Sequence, residues 1–385
     1  MTGLETWIIE QGLSGSSIGT LLTGFAERLS EEGIPLARAY IALPTVNPTI
    51  RVFNHTWIHQ SGTVVEGISH ERNQEAFEIS PFGFMLREGL SERHWRFDRS
   101  NATEFAIFDE IRSLGGTDYL GHLVRFENAG APDLRGIAVS FSSLREGGLT
   151  PEELARIAGL MPLLSLAAYR IGLFDLTVGM LDTYVGLSAG RRVLSGEIRR
   201  GSGATVTAAL LFADLRGFTA LADQAGAPLI ARLDEHLEAM AAPVVAEGGE
   251  ILKFLGDGLL ATFAIDEGRS HDAACAAALQ AAVAALELNA AVNVAYPDAM
   301  PLSLDIALHS GDVFYGNIGA GSRLDFTVIG PAVNEVSRME ALCGALDCAL
   351  IMSATVAAAS PLPVRSLGPH RLRGVPVERE LFTLT

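Results

Sequence analysis

Lysine is almost missing from this chain. Of 28 basic residues among 385, one is lysine, Lys253, against 27 arginines. A planar guanidinium fork and a compact ammonium on a flexible stem are not interchangeable where geometry matters. The solitary ammonium therefore points to its own surroundings, Gly249-Glu-Ile-Leu-Lys-Phe-Leu-Gly-Asp-Gly258. Cysteine is scarce too. The three present, Cys275, Cys343 and Cys348, are odd in number and form no disulfide framework. Positive charge is in deficit, with a net charge of −17. No basic cluster marks a nucleic-acid surface, although a nucleotide substrate stays compatible because divalent metal neutralises phosphate locally. An uninterrupted apolar run of about 18 residues is also lacking. Ala273–Val294 comes nearest and is broken by Gln280, Glu287, Asn289 and Asn293. The first residues carry no cationic leader. These absences lead to the expectation of a soluble, cytoplasmic protein with no membrane span and no nucleic-acid partner.

The length favours more than one domain. Residues 1–170 hold all three tryptophans, Trp7, Trp57 and Trp95. Helical spacing over Ile18–Leu29 precedes strand patterns at Arg38–Leu43, Val52–His59, Tyr119–Phe126 and Gly136–Phe141. Thr150-Pro-Glu-Glu153 then opens a helix, with Thr150 as N-cap, Pro151 in the first turn and Glu153 completing a capping box. Helix, antiparallel strands and a closing helix make a small α+β sensor unit. Gly136-Ile-Ala-Val-Ser-Phe-Ser142 followed by the capped helix resembles GAF-type domains. Its aromatic residues read as core. Residues 171–203 continue helically and become rich in Gly and Arg, as a signalling linker that pairs across a dimer would.

From 204 to 385 the pattern is regular. Expected are a buried strand at Thr205–Ala213 and a helix at Phe218–Glu247. A hairpin follows at Gly249–Phe263, turning at Gly256-Asp257-Gly258. A second helix covers His271–Val294, and Leu302–Leu308 and Asp312–Ile318 read as paired strands around Ser310-Gly311. A strand at Leu324–Ile329, a helix at Pro331–Cys343 and tail strands at Pro363–Leu367 and Glu380–Leu384 complete the domain.

Two carboxylates stand out, Asp214 at the end of the first buried strand and Asp257 on the hairpin turn. Hard divalent ions take one or two carboxylates together with substrate phosphate oxygens. Asn334 and Arg338 lie four apart on one helix face. An amide and a guanidinium so placed suit a phosphate and the charge developing in its transfer.

Phe212-Ala-Asp-Leu-Arg-Gly-Phe-Thr219, Lys253-Phe-Leu-Gly-Asp257 and Asp325-Phe-Thr-Val-Ile-Gly-Pro-Ala-Val-Asn-Glu-Val-Ser-Arg338 occur in this order. Together they resemble the class III nucleotidyl cyclases. The resemblance implies an α+β fold, with a ferredoxin-like palm as catalytic domain behind the GAF-like sensor and helical linker. It implies an adenylate cyclase making 3′,5′-cyclic AMP and pyrophosphate from ATP. Two ions, Mg²⁺ or Mn²⁺, would be held by Asp214, Asp257 and the backbone carbonyl of Leu215. Asn334 and Arg338 would orient ribose and stabilise the transition state, and Lys253 with Thr327 would read adenine. Guanylyl cyclases of the family carry Glu and Cys at those two positions. A tail arginine, Arg373 or its neighbour Arg371, would meet the triphosphate. The resemblance further implies a homodimer in which one chain supplies the aspartates and its partner supplies Lys253, Thr327, Asn334 and Arg338. An unknown small-molecule or protein signal would act on the N-terminal domain. The alternative is a weak or silent nucleotide-binding module of the same fold, against which the full residue set speaks. A diguanylate cyclase has no place for Lys253 or the Asn334–Arg338 pair.

Overall fold

The computed structural model describes residues 3–15, 17–70, 77–99, 105–126, 136–218, 227–321 and 323–385. Two compact units divide between Met180 and Leu181.

The first unit opens with α1 (Gly3–Ser14) and α2 (Ile18–Glu31), then β1 (Leu36–Pro44), β2 (Ile50–Ile58) and β3 (Gly62–Ser69). It continues through α3 (Pro81–Arg87), β4 (Glu92–Arg96), α4 (Ala106–Ser113), β5 (Asp118–Arg125) and β6 (Gly136–Ser143) into α5 (Pro151–Val185). Six strands form an antiparallel sheet in the order β3-β2-β1-β6-β5-β4. Alternation along β1 sends Ala39 and Ile41 into a core shared with α1, α2 and α5. Phe82, Trp95, Phe108 and Tyr119 build a second, aromatic core with α3 and α4. The capping box forms as expected: Glu153 N–H donates to Thr150 Oγ1 at 3.3 Å, and Thr150 N–H donates to Glu153 Oε2 at 2.8 Å.

The second unit begins within the last turns of α5. Next comes α6 (Leu187–Leu194), then β7 (Gly203–Arg216), α7 (Ala227–Ala246), β8 (Glu250–Phe254), β9 (Gly258–Ala264) and α8 (His271–Ala295). β10 (Ser303–Ala320), β11 (Arg323–Ile329), α9 (Pro331–Glu340), α10 (Cys343–Leu346) and β12 (Leu350–Ser353) follow, with α11 (Ala354–Ala358), β13 (Val364–His370) and β14 (Arg379–Leu384) at the end. Seven strands run in the order β13-β14-β12-β10-β7-β9-β8, and β11 pairs with β10. One face packs on α7 and α8 through Ala209, Leu211, Ala213 and Leu215 of β7 with Leu304, Ile306 and Leu308 of β10. The other face, with Leu210, Leu260 and Ala307, packs on α9. α5 and α8 are long and apolar enough to cross a membrane by length and composition, and 44% of the apolar window of each is buried in the protein. Thr219 and the start of the Phe218–Glu247 helix lie outside the described residues; the described helix is Ala227–Ala246.

Two expectations are corrected. Ser310-Gly311 is no hairpin turn but the middle of a single 18-residue strand, β10, laddered along β7 from Ser303 to Gly316. The glycine serves packing. A Cβ there would stand 2.9 Å from Cβ of Ala332, so its absence lets α9 lie close on the strand. The helix also ends earlier than expected, at Glu340, before a separate turn at Cys343–Leu346. Gly311→Val should therefore push α9 off the sheet, costing about 1–3 kcal/mol of stability. A thermal melt reads the loss, and an unchanged midpoint would rule out the close-packing role.

Candidate active site

The register of the central strands sets the site. Asp214 on β7 stands opposite Gly258 of β9 on one side and Asp305 of β10 on the other. Gly258 permits the approach, since a Cβ there would sit 2.6 Å from Asp214 Oδ1. Asp257, on the turn into β9, precedes it. Burial pushes the Asp214 carboxyl up to about 6, and the negative charges of Asp257 and Asp305 push the same way. Among the described residues neither Asp214 nor Asp257 has an ion-pair partner. Leu215 turns its side chain into the helix-covered core at 1% exposure, so only its backbone is free to act.

Two groups that the sequence reading missed complete this acidic centre. Asp305, buried at 4% exposure, receives both Nε and Nη2 of Arg216, at 2.9 and 2.6 Å. Arg216 shares the face of Asp214 two residues earlier, a strand alternation visible in the sequence; its partner on β10 was not. Glu340, at the end of α9, is pushed up to about 7 by burial and by Asp214, Asp305 and Asp257, with Arg216 opposing. The sequence offered no signal for it.

The remaining residues fall into two other groups. Asn334 and Arg338 share α9, whose position Glu335 secures by receiving Nε and Nη2 of Arg379 at 2.9 and 3.1 Å. The Arg338 guanidinium lies against Gly374, where a Cβ would be 3.6 Å from both terminal nitrogens. That contact brings Arg338 to the loop of Arg373, which is exposed, as is Arg371. Lys253 is exposed on β8 opposite Leu260. Thr327 is on β11 opposite Gly316, at 5% exposure, and its buried Oγ1 has no hydrogen-bond partner among the described residues. β8 and β11 approach one another, and Tyr315 beside Thr327's partner donates from its hydroxyl to Glu250 at 3.2 Å. No hydrogen bond joins Lys253 to Thr327 among the described residues. α6 braces this region, with Arg192 over the rings of Tyr315 at 5.2 Å and Phe326 at 5.9 Å.

Residues 202–378 match the adenylate and guanylate cyclase catalytic domain. The C-terminal domain is a class III cyclase catalytic domain. An adenylate cyclase of Anabaena cylindrica is 33% identical over 162 residues, 42% of this chain. Adenylate cyclase 2 of Rhizobium meliloti is 28% identical over 277 residues, covering 66% of this chain. The chain spans 32% of the first protein's length and 72% of the second's. The solved structure of a bacterial light-regulated adenylyl cyclase superposes with a TM-score of 0.50 at 18% identity, over 65% of this chain and 83% of that one, a likeness of fold.

Divalent ions fit the acidic centre. Like-charged carboxylates without a cationic partner gain most from a shared cation. Among the described residues no group of three His, Cys, Asp or Glu side chains is placed to hold a metal ion by itself; Mg²⁺ is commonly bound through one or two carboxylates plus substrate phosphates.

A pH test follows from Asp214. The folded protein holds this proton up to about pH 6, whereas an unfolded aspartate releases it near pH 4. Native protein therefore binds more protons in that window, and the group's penalty grows as pH rises through it. Asp214→Asn should raise metal-free stability at pH 8 by about 1 kcal/mol, after solvent screening of a part-exposed carboxyl. The gain should vanish toward pH 4. Melts showing the same difference at both pH values would contradict the crowding of charges.

Proposed function

We propose that this chain is an adenylate cyclase, converting ATP to 3′,5′-cyclic AMP and pyrophosphate at sites shared across a homodimer. One observation supports the reading: in a class III catalytic domain, Asp214 and Asp257 lie close together with no ion-pair partner among the described residues. Two Mg²⁺ or Mn²⁺ ions bound there would activate the attacking 3′ oxygen and neutralise the leaving pyrophosphate. Asp214, Asp257 and the Leu215 carbonyl would hold them. The Asn334 amide and Arg338 guanidinium donate to ribose and to the phosphate charge that grows in the transition state. Arg373 extends the cationic surface beside Arg338.

Base choice rests on Lys253 and Thr327. Adenine offers ring-nitrogen acceptors to an ammonium and an exocyclic amine to a hydroxyl. The buried Thr327 Oγ1, with no partner among the described residues, is suited to receive that amine. Guanine presents an oxygen there instead.

The helix geometry favours two chains. Arg338 and Glu340 are separated by about 200° around α9. Glu340 lies within the field of Asp214 and Asp257, while Arg338 lies on Gly374. Within one chain the helix thus turns Glu340, and not Arg338, to the aspartates. A second copy related by a two-fold axis would supply what each lacks. We also assign the N-terminal unit a regulatory role and the protein a cytoplasmic place.

Asp214→Ala and Arg338→Ala should each be inactive alone. Mixed and re-equilibrated, they should regain about one quarter of wild-type turnover, since half the dimers carry one intact site. Heterodimers that form yet stay inactive would exclude the shared site.

Product analysis with ATP and GTP tests the base reader. Lys253→Arg should lose most ATP turnover, because a planar fork cannot replace the ammonium. Thr327→Val should lower the preference for ATP over GTP by about tenfold, the worth of one buried hydrogen bond. Wild-type selectivity in both variants would remove these residues from the base pocket.

A further inference from the structure

The geometry points to Arg216 as a further substrate-binding residue, a guanidinium locked by Asp305 that donates to the polyphosphate chain beside the acidic centre. The assignment deepens the cyclase proposal and rests on it for the substrate, a nucleoside triphosphate. Arg216 closes β7 two residues after Asp214, so strand alternation sends both side chains to one face of the sheet. The intervening Leu215 enters the core under α7 and α8, and the shared face is therefore the one turned away from those helices. The ladder of β7 with β9 ends where Asp214 stands opposite Gly258. Arg216 thus lies just past the strand end at which Asp257 turns into β9.

Its hydrogen bonds leave part of the fork free. Nε and Nη2 donate to the two carboxylate oxygens of Asp305, at 2.9 and 2.6 Å. This side-on grip uses the Nε–Nη2 edge of the guanidinium and leaves the Nη1 edge open. Nη1 makes no hydrogen bond among the described residues, and it is not a buried orphan. The partners differ sharply in exposure, 38% for the Arg216 side chain against 6% for that of Asp305. The acid is a buried anchor, and the guanidinium is its solvent-facing end. α10 backs the anchored edge, where a Cβ on Gly344 would be 3.8 Å from Nε.

A mere tie between β7 and β10 explains the pair less well. The backbone ladder already joins those strands from Ser303 to Gly316, and apolar residues can replace a buried ion pair without loss of stability. The surroundings give the charges a purpose. Asp214, Asp257, Asp305 and Glu340 press on one another, and Arg216 is the cation that opposes them at Glu340. An arginine left loose here would fall onto Asp214 and compete with a metal ion. Asp305 prevents this by taking the fork. The pair is neutral as a whole, so Asp214 and Asp257 stay available to cations while one guanidinium edge stays available to anionic oxygens. Planar forks of this kind suit phosphate geometry. In the shared-site proposal Arg338 and Arg373 approach from the second chain, and Arg216 supplies positive charge from the chain that bears the aspartates.

Calorimetric titration of the full chain with inorganic tripolyphosphate, at saturating Mn²⁺, tests this without turnover. Arg216→Gln should weaken tripolyphosphate binding about tenfold, the worth of charge-assisted hydrogen bonds to an anion, and raise KM for ATP by a similar factor. That variant leaves a buried carboxylate unpaired, so the deciding protein combines Arg216→Gln with Asp305→Asn, whose two amides can pair. Circular dichroism checks its fold. The double variant should show the same loss for tripolyphosphate and bind Mn²⁺ alone as the wild type does. Wild-type tripolyphosphate affinity in the folded double variant would overturn the assignment. So would an equal loss of Mn²⁺ binding, the mark of a general disturbance, or a wild-type chain that does not bind tripolyphosphate. A wild-type chain that makes no cyclic AMP from ATP would sink the cyclase proposal alone, because the tripolyphosphate comparison still decides Arg216.

Discussion

The ladder between β7 and β10 is the constraint on which the catalytic unit depends. Fourteen residue pairs run from Arg216 opposite Ser303 to Gly203 opposite Gly316. Because side chains alternate along each strand, this one register decides which residues meet. It sends Ala213, Leu215, Leu304 and Ile306 into the core under α7 and α8. It also sets Asp214 beside Asp305 on the opposite face. Slipping it by one residue would bury the carboxylates under the helices and expose the core. Apolar burial on one face thus enforces a crowding of negative charge on the other.

That crowding is only partly relieved. Arg216 is committed to Asp305 through two hydrogen bonds, which leaves Asp214 and Asp257 to each other. Glu340 adds a further acid at the end of α9. A centre of this kind stores unfavourable electrostatic energy that a bound divalent cation would relieve.

Much of this was legible in the sequence because the signals were local. The Gly-flanked turn at Asp257, the capping box at Thr150–Glu153 and the helix spacing of Asn334 and Arg338 need only neighbouring residues. Thr327 could be singled out within its motif, but its unpartnered burial on β11 could not. The misreading of Gly311 has a clear cause. Glycine marks turns and close approaches alike, and the α9 residue it accommodates, Ala332, is 21 positions away. Asp305 and Glu340 were missed for a related reason, since each gains meaning only from the sheet register or the helix packing. In the N-terminal unit the aromatic residues read as core, and Trp95, Phe108 and Tyr119 are so. Tyr40 and Phe82 also wall a cavity, which depends on how α3 meets the sheet.

The exposure of Lys253 has a practical side. It carries the only side-chain amine in the sequence, and that amine stands in solvent on β8. An amine-selective acylating dye would therefore have one side-chain target, and a lysine-specific protease one internal cleavage point. A fluorophore or crosslinker could be addressed to this strand of the catalytic domain without introducing a cysteine or removing the three already buried.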